Sequence, residues 1–297
     1  MITSRTLNIE GGGYVIALGT FDGVHIGHKG VIKAALSSGF PVAVVTSDIN
    51  PKTVFGGKAG RISSESLTDG QFEKLGVSAV IRLSFESIRN LSPEQYLDML
   101  CASLNAKGFA CGYDFHFGKG AVGSHETLSA YADRHGLFFA VCDKVSIDGE
   151  AVSSSRIRSA IESGDIAAAN KLLGRNYAID FPVIHGDARG RRLGFATANQ
   201  AFTEDFVLPR YGVYASRVTV DGAVYKAVTN VGTRPTFCDG AAVAETHIIG
   251  ENLNLYGKKI KVEFLAFLRD EIKFSSADEL IAQIEKDKSA SLDAEFD

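Results

Sequence analysis

Gly19-Thr20-Phe21-Asp22-Gly23-Val24-His25-Ile26-Gly27-His28 follows directly on the apolar run Tyr14–Leu18 and leads into apolar residues at helical spacing. A short buried strand, a glycine-rich turn and a helix start, in that order, open a βα unit. The glycines let backbone approach a ligand closely, and a helix N-terminus there offers unpaired N–H groups and a positive dipole end to phosphate. His25 and His28, three apart, would share one face of the first helical turn. Two imidazoles aimed at one spot suit an anion whose charge grows in the transition state, as on the α-phosphate and departing pyrophosphate when a nucleophile attacks ATP. A metal site is the competing reading of the pair, but no third ligand lies nearby in sequence, such as the Glu of His-Glu-x-x-His.

Outward from this turn, short apolar runs alternate with helical periodicity as far as about Ala178, which predicts βα units around a mainly parallel sheet. The candidate strands are Tyr14–Leu18, Val42–Thr46, Ala79–Leu83, Phe109–Cys111 and Phe138–Cys142. One helix is predicted with Ser92 as N-cap, Pro93 at its first position and Gln95 completing a capping box, burying Tyr96, Leu97, Leu100 and Leu104. Another runs from about Ser155 through Leu173, with a break expected near Gly164. From about Asp180 the period changes to two. Gly212–Val220 and Ala223–Val228 are joined by Asp221-Gly222, a dipeptide suited to a type I′ hairpin, and Ile260–Phe267 alternates likewise. These segments predict a small antiparallel barrel of about six strands. It ends in a helix opened by Ser276 and Glu279 as a capping box, with Leu280, Ile281 and Ile284 on one face. The switch in period, near Tyr177–Pro182, divides the chain into expected domains 1–178 and 179–297.

At 297 residues with 45% apolar side chains, the chain is long enough for two cores. A formal charge of −4 argues against nucleic acid held by bulk electrostatics, so any bound anion is small and locally gripped. Cys101, Cys111, Cys142 and Cys238 have no Cys-x-x-Cys spacing and read as small buried hydrophobes. No leader pattern or membrane-length apolar run occurs, which makes the cytoplasm the expected address and a membrane an unexpected partner. Oligomeric state is not legible.

A second constellation lies in the period-two half. His185-Gly186-Asp187-Ala188-Arg189-Gly190-Arg191-Arg192-Leu193-Gly194 has the glycine and arginine content of a loop wrapping phosphates, with Gly186, Arg189, Gly190 and Arg192 as candidate contacts. Thr197 and Asn199, two apart, can present a hydroxyl and an amide oxygen to one Mg²⁺, a hard cation shared with substrate phosphates. Glu245 is a lone glutamate, and an exposed strand residue is the commoner fate of such a group.

These motifs resemble a known family. The first turn is similar to the His-x-Gly-His signature of the nucleotidylyltransferase superfamily, and Gly112-Tyr113-Asp114-Phe115-His116-Phe117-Gly118 resembles the flavin-side segment of prokaryotic bifunctional FAD synthetases. Ser153-Ser154-Ser155-Arg156-Ile157-Arg158 resembles their second phosphate-binding motif, with Ser155 where Thr is usual. By itself that segment reads more readily as an N-cap serine with two solvated arginines, and its place after the fifth strand together with the first motif favours the phosphate reading. In the C-terminal half, Thr197-Ala198-Asn199, Asn230-Val231-Gly232-Thr233-Arg234-Pro235-Thr236-Phe237 and Glu245-Thr246-His247-Ile248 are similar to riboflavin kinase motifs.

The resemblance implies a Rossmann-like nucleotidylyltransferase domain followed by a Greek-key type β-barrel with a C-terminal helix. It implies that riboflavin is phosphorylated to FMN in the barrel and FMN adenylylated to FAD in the first domain, with ATP and Mg²⁺. On this basis His25, His28 and Glu245 are the catalytic residues. Gly19, Phe21, Asp22, Gly23, Gly27, Ser153, Ser154, Ser155, Arg156 and Arg158 grip ATP, while Asp114, Phe115, Phe117 and Arg269 face flavin. Departures from the family pattern fall at Ser47-Asp48-Ile49-Asn50-Pro51, Gly70, Phe181, Ala196 (for the proline before Thr197) and Gly250-Glu251. Loss of one activity, or flavin binding without turnover, are the alternatives.

Overall fold

The computed structural model describes residues 1–9, 11–49, 60–186, 195–233 and 242–294. The chain divides into two compact units, Met1–Ala59 with Thr68–Ser154, and Gly60–Leu67 with Ser155–Asp297.

The first unit is built on six parallel strands in the order Ile2–Ser4, Ala79–Leu83, Val42–Ser47, Val15–Leu18, Gly108–Gly112, Phe138–Cys142. Val15–Leu18 is wholly buried because alternate side chains enter different cores: Ile16 and Leu18 pack with Phe109 and Leu97, Val15 and Ala17 with Ile32 and Phe72. The order of strands reverses at this strand, since the chain runs outward on one side through Val42–Ser47 and returns on the other through Gly108–Gly112. Such a switch point leaves a crevice beyond the strand ends, where ligands of open α/β sheets bind. The turn 19–28 starts there.

All five predicted strands are present within a residue or two, and Ile2–Ser4 is an additional edge strand whose polar Thr3 and Ser4 hide it from periodicity. Helix Pro93–Leu104 carries the complete Ser92/Gln95 capping box and buries the four residues expected. The long helix is two, Ser154–Ser163 and Ile166–Leu173, broken at Gly164 (φ 83°) with Asp165 capping the second through Ala168 N–H at 3.0 Å.

The second unit is a curled antiparallel sheet in the order Tyr177–Ile179, Lys261–Arg269, Gly212–Val220, Ala223–Thr233, Ala242–Ile248, Ala198–Ala201. Asp221 (φ 48°) and Gly222 (φ 85°) make the two left-handed positions of the hairpin. Register shifts at Val213/Tyr214 and Ala215/Ser216 bend the sheet. The curl brings its two edges together: Gln200, on one edge strand, donates to Phe181 O (2.6 Å) and Ile260 O (3.0 Å) beside the other. Gly60–Leu67 joins this unit through Arg61 N–H to Asp205 O (2.6 Å), Val207 N–H to Arg61 O (3.0 Å) and Arg175 to Ser63 Oγ (3.2 Å).

Helix Ala277–Asp293 differs from expectation in two ways. Ser276 caps Glu279 N–H, but the Glu279 carboxylate accepts from Ser275 N–H and Oγ, so the reciprocal bond of a capping box is displaced by one residue. Its most buried residues are polar, Asp287 and Ser291, while Leu280, Ile281 and Ile284 are half-buried. The helix is anchored by directed bonds: Arg269 Nε and Nη2 meet Asp287 at 3.0 and 2.7 Å, and Ser291 Oγ donates to Ala227 O at 2.7 Å. Removing one partner of a buried pair strands the other charge. Asp287→Ala is therefore expected to lower unfolding free energy by about 3–5 kcal/mol in urea titrations, with Ser289→Ala, on the exposed side, changing little.

Candidate active sites

The turn of the first unit is held in a conformation that side-chain-bearing residues avoid. Phe21 (φ 49°), Gly23 (φ 80°) and Val24 (φ 39°) are all left-handed, which costs a β-branched residue such as Val24 most. Three contacts over-determine it. Thr46 Oγ1, from the adjacent strand, donates to Thr20 O (3.1 Å), Ser154 Oγ donates to Asp22 O (2.9 Å), and the buried Phe21 ring packs edge-on against Phe72 (5.8 Å). No local pattern in the sequence marks Thr46 for this role.

The consequence is the placement of two imidazoles. His25 is the N-cap of helix Ile26–Leu36, and its Nδ1 accepts the His28 N–H at 3.2 Å. An accepting Nδ1 carries no proton, so the neutral ring has its N–H at Nε2. The His25 and His28 rings stack with centroids 3.5 Å apart and 16° between planes, and Phe21 backs His28 at 5.2 Å. Gly27 leaves the His25 ring its place: a Cβ there would lie a tight 3.2 Å from His25 Cε1 and Nδ1. Gly19 likewise leaves room for the Phe21 ring, which a Cβ would meet at 3.2 Å.

Other expected ligands are distributed differently. Ser154 uses its hydroxyl on the turn itself. Ser153 and Arg156 are half-buried, and Ser155 is exposed. Arg158 is buried, with Nε on Gly60 O at 2.6 Å inside the second unit, which makes it a structural clamp in this state. Phe115 and Phe117 stack 5.5 Å apart at 11°, on one side as their spacing predicts, but Phe117 is core, packed on Tyr96, and Phe115 presents the more open face. Asp114 beside them is exposed. Burial, reinforced by the Asp114 and Glu126 carboxylates, pushes the nearby Cys111 thiol up to about 12, so it is the inert hydrophobe expected, whereas Cys101 and Cys142 are only half-buried.

In the second unit a cavity of about 250 Å³ is lined by Gly186, Thr197, Asn199, Thr246, Asn252 and Tyr256, among others. His185 stacks on Tyr256 at 4.2 Å. Asn199 Nδ2 donates to Thr197 O at 3.3 Å, which turns Oδ1 the other way; among the described residues that buried oxygen accepts no hydrogen bond. A Cβ on Gly186 would lie 2.5 Å from Asn199 Nδ2, so glycine there is what lets the amide sit in the wall. Glu245 does not line the cavity but is paired directly across the ladder with Asn199 on one side and Asn230 on the other. Paired residues of antiparallel strands share a face, about 5 Å apart. Arg269, expected beside flavin, directs Nε and Nη2 to Asp287 and Nη1 to Asp270 O (2.9 Å), so its guanidinium also braces the C-terminal helix. Arg189, Gly190, Arg192, Cys238 and the motif positions 50–51 and 234–237 lie outside the described residues. No group of three or more His, Cys, Asp or Glu suited to a metal occurs among the described residues. None of their helices is long and apolar enough to cross a membrane.

Residues 8–156 match a family model described as FAD synthetase and residues 173–294 one described as riboflavin kinase. A bifunctional riboflavin kinase/FMN adenylyltransferase of Bacillus subtilis is 37% identical over 289 residues, covering 94% of this chain and 91% of that one. That of Listeria monocytogenes is 36% identical over 284 residues, covering 92% and 90%. A Streptococcus pneumoniae crystal structure, described as a macrolide-efflux protein, superposes with a TM-score of 0.88 at 29% identity over 99% of both chains.

The contact between position 27 and the His25 ring leads to a prediction. Gly27→Ala should displace the imidazole by a few tenths of an ångström and slow adenylyl transfer, followed as pyrophosphate release from ATP, about tenfold. The thermal midpoint should stay within about 2 °C of the parent.

Proposed function

This chain belongs to the bifunctional riboflavin kinase/FMN adenylyltransferase family, and we propose that it makes FMN in residues 179–297 and converts it to FAD in residues 1–178, using one ATP at each step. In the first reaction the 5′-hydroxyl oxygen of riboflavin bonds to the γ-phosphorus as the bond to the ADP oxygen breaks. Glu245 takes the hydroxyl proton, a role for which a carboxylate at neutral pH is suited. In the second, a phosphate oxygen of FMN attacks the α-phosphorus of ATP and the bond to pyrophosphate breaks, with no covalent enzyme intermediate.

The observation that carries this reading is the stacked His25–His28 pair at the start of a helix. Because the cap uses Nδ1, the His25 ring carries its proton on Nε2, and the helix end adds backbone N–H groups, so donors and dipole converge where negative charge grows on the departing pyrophosphate. Gly19, Asp22, Gly23 and Gly27 shape the backbone around the triphosphate, and Ser153 supplies a further donor. Phe115 offers the flavin ring an apolar face with Phe117 behind it.

In the kinase site, Mg²⁺ fits the residues present. The buried Asn199 Oδ1 accepts no hydrogen bond among the described residues, and Thr197 is two residues away on the same cavity wall. A hard cation takes such neutral oxygens together with phosphate. Bound there, it would neutralise charge on the transferring phosphoryl group. The same reading makes the enzyme cytoplasmic, where ATP and riboflavin are available.

The test is to incubate the protein with riboflavin, ATP and Mg²⁺ and resolve the flavins with time. FMN followed by FAD is expected, and formation of neither would reject the proposal. His28→Ala should reduce FAD formation about 10²–10³-fold while sparing FMN. Glu245→Gln should reduce FMN formation about 10²–10⁴-fold while sparing FAD made from supplied FMN.

A further inference from the structure

We infer that His247 is a positioning residue for phosphoryl transfer, holding the peptide before Thr197 so that the Thr197 hydroxyl and the Asn199 amide oxygen keep a common aim. The inference rests on Thr197 and Asn199 being the cation-binding pair. His247 lies two residues beyond Glu245 on the strand Ala242–Ile248, and its Nδ1 is 2.9 Å from Ala196 O. A carbonyl can only accept, so Nδ1 carries the proton. That proton is present in the neutral Nδ1–H tautomer and in imidazolium alike, and the bond survives either charge state.

What the bond constrains follows from peptide planarity. Because the Ala196–Thr197 peptide is planar, restraining the direction of Ala196 O restrains the orientation of that plane and so narrows ψ at Ala196 and φ at Thr197. On the far side of Thr197, its own carbonyl is held by Asn199 Nδ2 at 3.3 Å. Both peptide groups flanking the hydroxyl-bearing residue are thus tied, one to the strand that carries Glu245 and one to its partner ligand. Ala196 lacks the ring that would fix its φ, so the restraint on this side of Thr197 is supplied by a side chain.

The imidazole is itself braced. Phe195 packs edge-on against it at 5.5 Å and 78°, and the Lys288 ammonium lies 5.6 Å from the Phe195 ring centre. Lys288 is one residue from Asp287, whose bond to Arg269 anchors the C-terminal helix. The polar docking of that helix therefore reaches the cation site through two aromatic contacts and one hydrogen bond.

The experiment compares His247→Leu, His247→Asn and His247→Gln in the full chain. ADP binding is titrated against Mg²⁺ by calorimetry, without turnover, and FAD formation from supplied FMN reports on the rest of the protein. An outer residue that orients a metal ligand commonly changes metal affinity about 10–100-fold. His247→Leu should raise the Mg²⁺ concentration needed for half-maximal ADP binding by that factor and leave FAD formation intact. Asn can place an N–H where Nδ1 stands and should recover most of the loss, whereas Gln reaches toward the Nε2 position and should not. Unchanged Mg²⁺ dependence in His247→Leu, or equal behaviour of Asn and Gln, overturns the inference, and the Asn–Gln contrast decides alone if the leucine variant does not fold. Asn199→Ala separates the two levels: if it leaves Mg²⁺ dependence unchanged, the cation reading has failed rather than the positioning role.

Discussion

The hydrogen bond from His28 N–H to His25 Nδ1 does two jobs that are usually given to different residues. It satisfies an orphan donor of the first helical turn, as a serine or aspartate cap would. It also settles where the imidazole proton sits, since the cap uses the unprotonated nitrogen and leaves the proton on Nε2. A serine cap would close the helix equally well but would bring no ring to stack on His28. The rest of the first unit serves this geometry. The turn needs Phe21 and Val24 in left-handed conformations, which cost energy, and that cost is offset by a fully packed central strand, by Thr46 and Ser154, and by Phe21 against Phe72.

The second unit solves a related problem with different chemistry. The oxygens proposed to hold its cation lie at a strand end, where backbone is least restrained. A short edge strand, Ala198–Ala201, is stitched to the far edge of the sheet by Gln200, and its paired neighbour carries Glu245. A buried hydroxyl series, Ser216, Thr229 and Thr246, linked at 2.8 and 2.9 Å, satisfies polar groups across three strands and ends in the cavity wall. Arg269 and Asp287 hold the helix that backs the sheet. Structural and functional polar groups lie within a few residues of one another here, so their roles separate only by asking where each hydrogen bond goes.

Much of this is legible in the residues. The central strands, the Ser92 capping box, the break at Gly164 and the Asp221-Gly222 hairpin follow from local rules: buried apolar runs, cap chemistry and the freedom of glycine at positive φ. The departures from expectation share a cause. Spacing pairs Glu279 with Ser276 rather than Ser275 and puts Leu280, Ile281 and Ile284 together on one face of the last helix. The partners observed, Ser275 for Glu279, Ala227 O for Ser291 and Arg269 for Asp287, are ones that helical spacing does not single out.

The two classes of secondary structure, the glycine-rich turn and the residue types at both candidate sites can be read along the chain, because these depend on neighbours within a few positions. Folding in three dimensions sets Thr46 and Ser154 on that turn, joins Gly60–Leu67 to the second unit, ties Arg158 to Gly60 O and Arg269 to Asp287, and pairs Glu245 with Asn199. Those outcomes turn on which strands pair and in what register, and a pairing between distant segments leaves no period in either segment alone.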